Sequence, residues 1–254
     1  MHRLTPPAPP PPPPPRQVLQ RDRPVTVWGF AAPGVTVTTQ FSGGVYGPAA
    51  ADGNGTWRQV LPATAAGGPY VLAFNSSDGG AASLVDVLFG DVHLCGGQSN
   101  MQFTLLSNAG VPNVTAELAD ANNYPNIRVF TVGQGTTSTT PLRELGSIEQ
   151  AWVAASNASI GLGGWTAFSA VCWFTYRDVY NALGGTVPQG LVSNNWGGTP
   201  YVALLCWLHA YYRRLAPPAS RSPTSRQHAG SSTGARRRRW RSATAAWTLR
   251  CGTP

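Results

Sequence analysis

Ser99 is the residue of this chain whose setting could do covalent chemistry. It follows Gly96-Gly97-Gln98 and precedes Asn100-Met101, with an apolar run over residues 87–95 ahead of it. That run, closed by the two glycines, reads as a short buried strand. Residues 100–106 can open a helix. A strand, a tight glycine turn, a serine and then a helix hold a nucleophilic hydroxyl at the edge of a parallel sheet. Glycine lets the backbone turn sharply and come close to a ligand. The helix start adds N–H groups and the positive end of its dipole, which suit an oxyanion. Spacing alone favours reading the serine as a helix N-cap, the commoner use of a Gly-Ser-Asn turn. It does not sit in a G-x-S-x-G elbow, because Met101 stands where the second glycine would be. His93 lies close by in sequence and reads as a strand residue on the face opposite its neighbours.

The elements that must position Ser99 follow it in the chain. Residues 114–121 form a short helix with Asn113 as its cap, and residues 127–132 form the next strand. With the strand before Ser99 this makes a βαβ unit, the building block of a parallel sheet with right-handed crossovers. The Gly/Thr-rich stretch 133–147 is a surface loop. A second irregular stretch lies between Trp152 and Trp165, and either indole could cover a sugar or fill the core. Residues 169–183 are the clearest helix, capped by Ser169 and stopped by Gly184-Gly185. Trp173, Tyr176, Tyr180 and Leu183 recur at steps of three and four and make one packed face. Residues 190–193 give a third parallel strand, followed by a Trp196-Gly197-Gly198-Thr199-Pro200 turn.

Upstream, residues 17–86 read as all-β. Short strands at 25–28, 35–41, 57–61 and 70–74 alternate with Gly, Asp, Asn and Pro turn signals, the pattern of a small sandwich. No polar cluster there looks chemical, so a packing role outweighs a sugar-binding one. Residues 6–15 are nine prolines and one alanine, polyproline II or disordered.

Several of these segments resemble one family. Gly90-Asp91-Val92 and Leu94-Cys95-Gly96-Gly97-Gln98-Ser99-Asn100-Met101 resemble the nucleophile block of the sialate O-acetylesterases, which are SGNH-type hydrolases. Residues 18–28 with Gly67-Gly68-Pro69-Tyr70 resemble the β-domain ahead of their catalytic domain. Ser169-Ala170-Val171 and the Trp-Gly-Gly-Thr-Pro turn resemble later segments, in the same order. The resemblance covers residues 18–200, begins without the strand usually found before it, and then ends. It implies an α/β fold: a small N-terminal β-sandwich (17–86), then a partial three-layer α/β/α SGNH-hydrolase-like parallel sheet (87–205). These lie between a disordered Pro-rich start (1–16) and a disordered tail (206–254). It further implies Ser99 as catalytic nucleophile, and backbone N–H groups of Ser99 with Gly197 or Gly198 as oxyanion hole. Gln98 and Asn100 become substrate-binding residues. The expected substrate is an O-acetylated sialic acid, with acetyl-xylan or another acetylated carbohydrate as alternative, and no cofactor or metal is required.

Two features depart from the family. At position 93 it more often has Trp. Its Gln-Gly-Glu and Asp-x-x-His blocks, the latter carrying the triad base and its acid, have no counterpart here. No Asp or Glu follows Asp178, and neither His209 nor His228 has an acid three residues before it. A serine without a base is a weak nucleophile. The expectation is a chain that is nearly inactive and poorly soluble as it stands, a truncated or frameshifted product being the alternative to an enzyme.

Charge is divided unevenly. Residues 1–205 hold eight arginines against ten acids, a net of −2, while residues 206–254 hold ten arginines and no acid. The +8 total therefore belongs to the tail. Its Arg236-Arg237-Arg238-Arg239-Trp240-Arg241 run reads as a product of biased coding, like the absence of lysine, and no nucleic-acid partner is expected. Four cysteines (Cys95, Cys172, Cys206, Cys251) allow three pairings. Four N-x-[ST] triplets, at Asn54, Asn75, Asn113 and Asn157, fit a secreted or lysosomal protein, although no signal peptide is visible and no apolar run could span a membrane.

Overall fold

The computed structural model describes residues 16–107, 110–134, 138, 140, 142–161, 163 and 167–199. The Pro-rich run, Trp165, Pro200 and the 206–254 tail lie outside the described residues, together with the expectations placed on them. Every described residue belongs to one compact unit, Met1–Leu204.

The strands β1 (Val18–Gln20), β2 (Val25–Phe30), β3 (Thr36–Phe41), β4 (Gly44–Ala50), β5 (Thr56–Leu61) and β6 (Gly67–Ser76) lead to β7 (Ala81–Gly97). Then come α1 (Ser99–Gln102), α2 (Val114–Asp120), β8 (Ile127–Val132), β9 (Ile148–Ala154), α3 (Asn157–Ile160), α4 (Ala170–Ala182) and β10 (Gln189–Asn195). One mixed sheet runs in the order β4-β3-β6-β7-β10-β8-β9, with β1 also paired to β7, and β2 and β5 form a separate two-stranded ribbon. The result is an α/β molecule with one large sheet and few helices.

The 17 residues of β7 hold the sheet together. Its first half pairs antiparallel with β6, from Asn75↔Ala81 to Gly67↔Phe89. Its second half pairs parallel with β10, from Gln189↔Asp91 to Asn195↔Gly97. The strand continues over residues 86–87, where the change of pattern suggests a boundary and where Asp86 at φ +55° accompanies a shift of register against β6, and it continues through Gly96-Gly97, which read as a stop. Both glycines keep extended backbone, because Asn194 and Asn195 of β10 supply them with partners. Gly90 lies where β7 changes neighbours: a Cβ there would meet the Pro188 carbonyl oxygen at 2.0 Å, so only glycine fits.

The β7 side chains feed two cores. Val87 and Phe89 join Val37, Phe41, Leu72 and Phe74 of the sheet with Val27, Trp57 and Leu61 of the ribbon. Cys95 joins Ile127, Val129 and Leu191 of neighbouring strands with Ile160, Trp173 and Tyr180 of α3 and α4. All four helices pack on this second cluster, α1 through Met101 and α2 through Val114 and Leu118. A helical layer on the other face of the sheet is not among the described residues.

The βαβ expectation meets one correction. β8 is parallel to the end of β7, but β10 lies between them and is parallel to both. The central place goes to the strand buried on both faces, and β10 is that strand, with Gln189, Gly190, Leu191, Ser193 and Asn195 all buried. β9 is a second correction. It pairs antiparallel with β8, and its Trp152 packs on Phe130 with ring centres 5.5 Å apart, where the sequence reads as irregular. Between β7 and β8 lies an ion pair with no sequence signature. Buried Arg128 grips Asp86 bidentately, Nη1 to Oδ2 at 3.1 Å and Nη2 to Oδ1 at 3.0 Å, and its Nε donates to the Pro125 carbonyl.

The caps agree with their residues. Asn113 accepts from Ala116 N–H to start α2, and Ser169 accepts from Cys172 N–H to start α4. Gly184 and Gly185, both at φ +69°, end α4 in the left-handed region that glycine tolerates.

Candidate active site at the end of strand β7

Ser99 is the first residue of α1, directly beyond the C-terminal end of β7. The cap position is Gln98, which makes no side-chain cap bond, so Ser99 is not the N-cap that its spacing favours. The helix is shorter than the expected 100–106. Phe103 leaves helical geometry at ψ 127° and donates its N–H to Ser99 C=O. Gly97 is needed for close approach: a Cβ there would come within 2.6 Å of Met101 Cβ, which the tight entry into α1 places overhead. Gln98 and Asn100 flank the serine on exposed positions, and Ser99 itself is half-buried.

The glycine turn after β10 arrives at the same place. Parallel pairing brings β7 and β10 to their ends together, and Trp196 N–H donates to Gly97 C=O to carry the ladder one step further. The turn closes through Thr199, whose N–H and Oγ1–H both donate to Trp196 C=O, with Gly198 at φ +81°. A Cβ on Gly197 would stand 3.5 Å from Ser99 Cβ. Ser99 and Gly197 therefore meet at the C-terminal edge of a parallel sheet, where open α/β sheets place their ligands, and Gly198 is the next residue of the turn. The Gly197 N–H is already engaged, donating to Gln102 Oε1 at 2.7 Å. Among the described residues Gly198 N–H and the Ser99 hydroxyl have no hydrogen-bond partner.

The floor of this edge is tied to α4. Cys95, four residues before the serine, is disulfide-bonded to Cys172, with Cα atoms 5.9 Å apart. Sequence left three pairings open, and the fold selects this one by facing the end of β7 toward the first turn of α4. Ala170 N–H donates to Phe103 C=O, and Ser169 Oγ–H donates to Met101 Sδ, so α1 and α4 share their ends.

His93 is engaged elsewhere. Its ring stacks on Tyr176 with centres 3.8 Å apart, and Nε2–H donates to Gln189 Oε1 at 2.9 Å. Burial holds its pKa below the ordinary imidazole value of 6.5, against smaller opposite effects of Gln189 and Asp91. The protonated ring is thus disfavoured in the fold relative to the unfolded chain. Its contribution to stability is complete above pH 6.5 and is lost as pH falls below that value. Replacing His93 with Phe keeps the stack and removes the titration. The urea midpoint of His93→Phe should accordingly fall less than that of the wild type between pH 7 and pH 5. Parallel acid profiles for the two proteins would contradict this.

Among the described residues no group of three or more His, Cys, Asp or Glu side chains is placed to hold a metal ion, and no helix is long and apolar enough to cross a membrane.

A serine on a strand-to-helix turn at the carboxyl edge of a parallel sheet, beside a second glycine turn, is an arrangement compatible with a hydrolase fold. Comparison with known proteins agrees. No family model matches the chain. It is 38% identical over 197 residues to the sialate O-acetylesterase of Rattus norvegicus, covering 72% of this chain and 34% of that protein. It is 34% identical over 195 residues to the sialate O-acetylesterase of Homo sapiens, covering 73% and 36%. The crystal structure of a carbohydrate acetylesterase from Xanthomonas citri superposes with a TM-score of 0.61 at 37% identity, over 72% of this chain and 39% of that one. Over the shared region the chain is similar to the sialate O-acetylesterases, and it spans about a third of the length of these curated relatives.

Proposed function

We propose that Ser99 is the nucleophile of a carbohydrate acetylesterase acting on O-acetylated sialic acids. The observation that carries the reading is the meeting of Ser99 with the 196–199 turn at the C-terminal edge of β7 and β10. In this reading the described residues are the N-terminal part of a three-layer SGNH-type fold buttressed by a small β-sandwich. Ser99 Oγ attacks the acetyl carbonyl, and its proton passes to a base that is not among the described residues. The N–H groups of Ser99 and Gly198 receive the oxyanion, joined by Gly197 when Gln102 releases it. Collapse expels the sugar hydroxyl and leaves acetyl-Ser99, and water then releases acetate and restores the serine. Gln98 and Asn100, exposed on either side, contact the sugar. No step needs a cofactor.

Because the base lies elsewhere, the test supplies one. In imidazole buffer the 254-residue protein should release acetate from O-acetylated sialic acid faster than buffer alone, and faster than from acetylated xylan. Release from neither sugar above the buffer rate would end the proposal. The likeness to the Xanthomonas citri carbohydrate acetylesterase favours a second reading with broader scope, in which xylan acetate is released equally well. A chain without turnover is the third, favoured by the lack of an acid three residues before His209 or His228.

The disulfide and the four sequons support passage through an oxidising secretory compartment, since Asn54, Asn75, Asn113 and Asn157 are all exposed. Protein made in a secretory host should gain mobility on removal of N-linked glycans, and an unshifted band would contradict it.

A further inference from the structure

We propose that Gln102 is a positioning residue that holds the 196–199 turn beside Ser99, with Gln134 holding Gln102 in turn; the inference rests on the reading of Ser99 as nucleophile. Four hydrogen bonds run in one direction through neutral groups. Gly197 N–H donates to Gln102 Oε1 at 2.7 Å, and Gln102 Nε2–H donates to Gln134 Oε1 at 2.8 Å. Gln134 Nε2–H donates to Asn195 C=O at 2.7 Å, and Asn195 Nδ2–H donates to Ser193 Oγ at 2.6 Å. Gln102, Asn195 and Ser193 are buried.

The relay joins three segments that are distant in sequence and end at one edge: α1, the residues after β8, and the turn after β10. No charge is involved, so the tie does not depend on pH or salt. Gln102 is three residues past Ser99 on the same short helix, so any displacement of its amide moves the turn relative to the serine. A buried amide that lost one partner would leave the other unsatisfied, which makes the chain of bonds act as a unit. The same bond keeps Gly197 N–H occupied while the site is empty. A neutral carbonyl offers no better acceptor than Gln102 Oε1, whereas an oxyanion does, because bonds to charged acceptors are roughly twice as strong. The exchange of Gln102 for substrate at Gly197 is therefore favoured as charge develops.

The test uses the 254-residue protein with imidazole as base and a fluorophosphonate probe that labels nucleophilic serines. Gln102→Ala should accelerate amide exchange across residues 196–199 about tenfold and slow labelling of Ser99 about tenfold. Gln134→Ala should act in the same direction with a smaller effect. Gln102→Glu supplies the readout that a merely structural residue would not move. Its neutral carboxyl can accept from Gly197 N–H and donate to Gln134 Oε1, so labelling should approach the wild-type rate at low pH. Once ionised it cannot donate, and it places a negative charge beside the developing oxyanion. The labelling rate relative to wild type should then fall as pH rises through that titration, while the ratio for Gln102→Ala stays flat. Unchanged exchange in Gln102→Ala, a flat ratio for Gln102→Glu, or Ser99 labelling indifferent to Gln102 would overturn the inference and leave Ser99 standing. Failure of wild-type Ser99 to label would remove the nucleophile and this inference with it.

Discussion

Ser99→Ala should bring imidazole-supported acetate release from O-acetylated sialic acid down to the rate of buffer alone. Triad residues act as a unit, and a serine with no base adds almost nothing to what oxyanion donors and binding supply. His93 is the one histidine among the described residues, and its ring is committed to Tyr176 and Gln189. With imidazole taking the proton, general-base assistance of roughly a hundredfold becomes available, and all of it should pass through the Ser99 hydroxyl. The variant should unfold at the same urea concentration as the wild type, because that hydroxyl has no hydrogen bond to another described residue. Acetate release by Ser99→Ala equal to that of the wild type, at equal imidazole, would show that the buffer acts on the ester directly and that Ser99 is not the nucleophile.

Cutting the Cys95–Cys172 bridge should be the most damaging change to stability. The bridge closes a loop with a sequence separation of 77 residues. Restricting the unfolded chain over such a loop is worth about 4 kcal/mol in the chain-entropy account. Both cysteines are buried, so Cys172→Ala also loses packing against the end of β7. Urea unfolding of the wild type with and without reductant, beside Cys172→Ala, measures the effect. The reduced protein and the variant should both lose most of the margin of a domain this size, and unfolding midpoints within error of the oxidised wild type would refute it. Damage should be felt first at Ser99, since the bridge lies directly under its turn.

What could be read in the sequence was local. Ser169 and Asn113 cap their helices, Gly184-Gly185 end α4, and residues 127–132 are a strand, because each signal is complete within a few residues. The placement of Ser99 after a strand at a sheet edge was legible for the same reason. The features that escaped are relations between distant segments. The extent of β7 was hidden by Ala81-Ala82-Ser83 at one end and by Gly96-Gly97 at the other, since their partners in β6 and β10 cannot be seen from the strand itself. β9 was obscured by Glu149 and Gln150, which interrupt its apolar pattern. The insertion of β10 between β7 and β8 is a matter of crossover, to which periodicity is blind. Gln102 and Gln134 carry neither charge nor motif. A glutamine four residues into a helical stretch looks like surface until the fold buries it, and the same neutrality hid Gln189 as the partner of His93.

The continuity of β7 from one core to the other has a consequence for cooperativity. Two domains joined by a flexible linker can melt one at a time, and either half can be expressed without the other. Here the residues that line the first core and those that lead to the nucleophile turn are consecutive in a single strand. Fraying of the β6 pairing removes support from the same backbone that must hold Gly97 against β10. The ribbon-covered sheet therefore cannot be trimmed away as a dispensable accessory, and the geometry at Ser99 inherits the stability of residues that lie far from it and take no part in its chemistry.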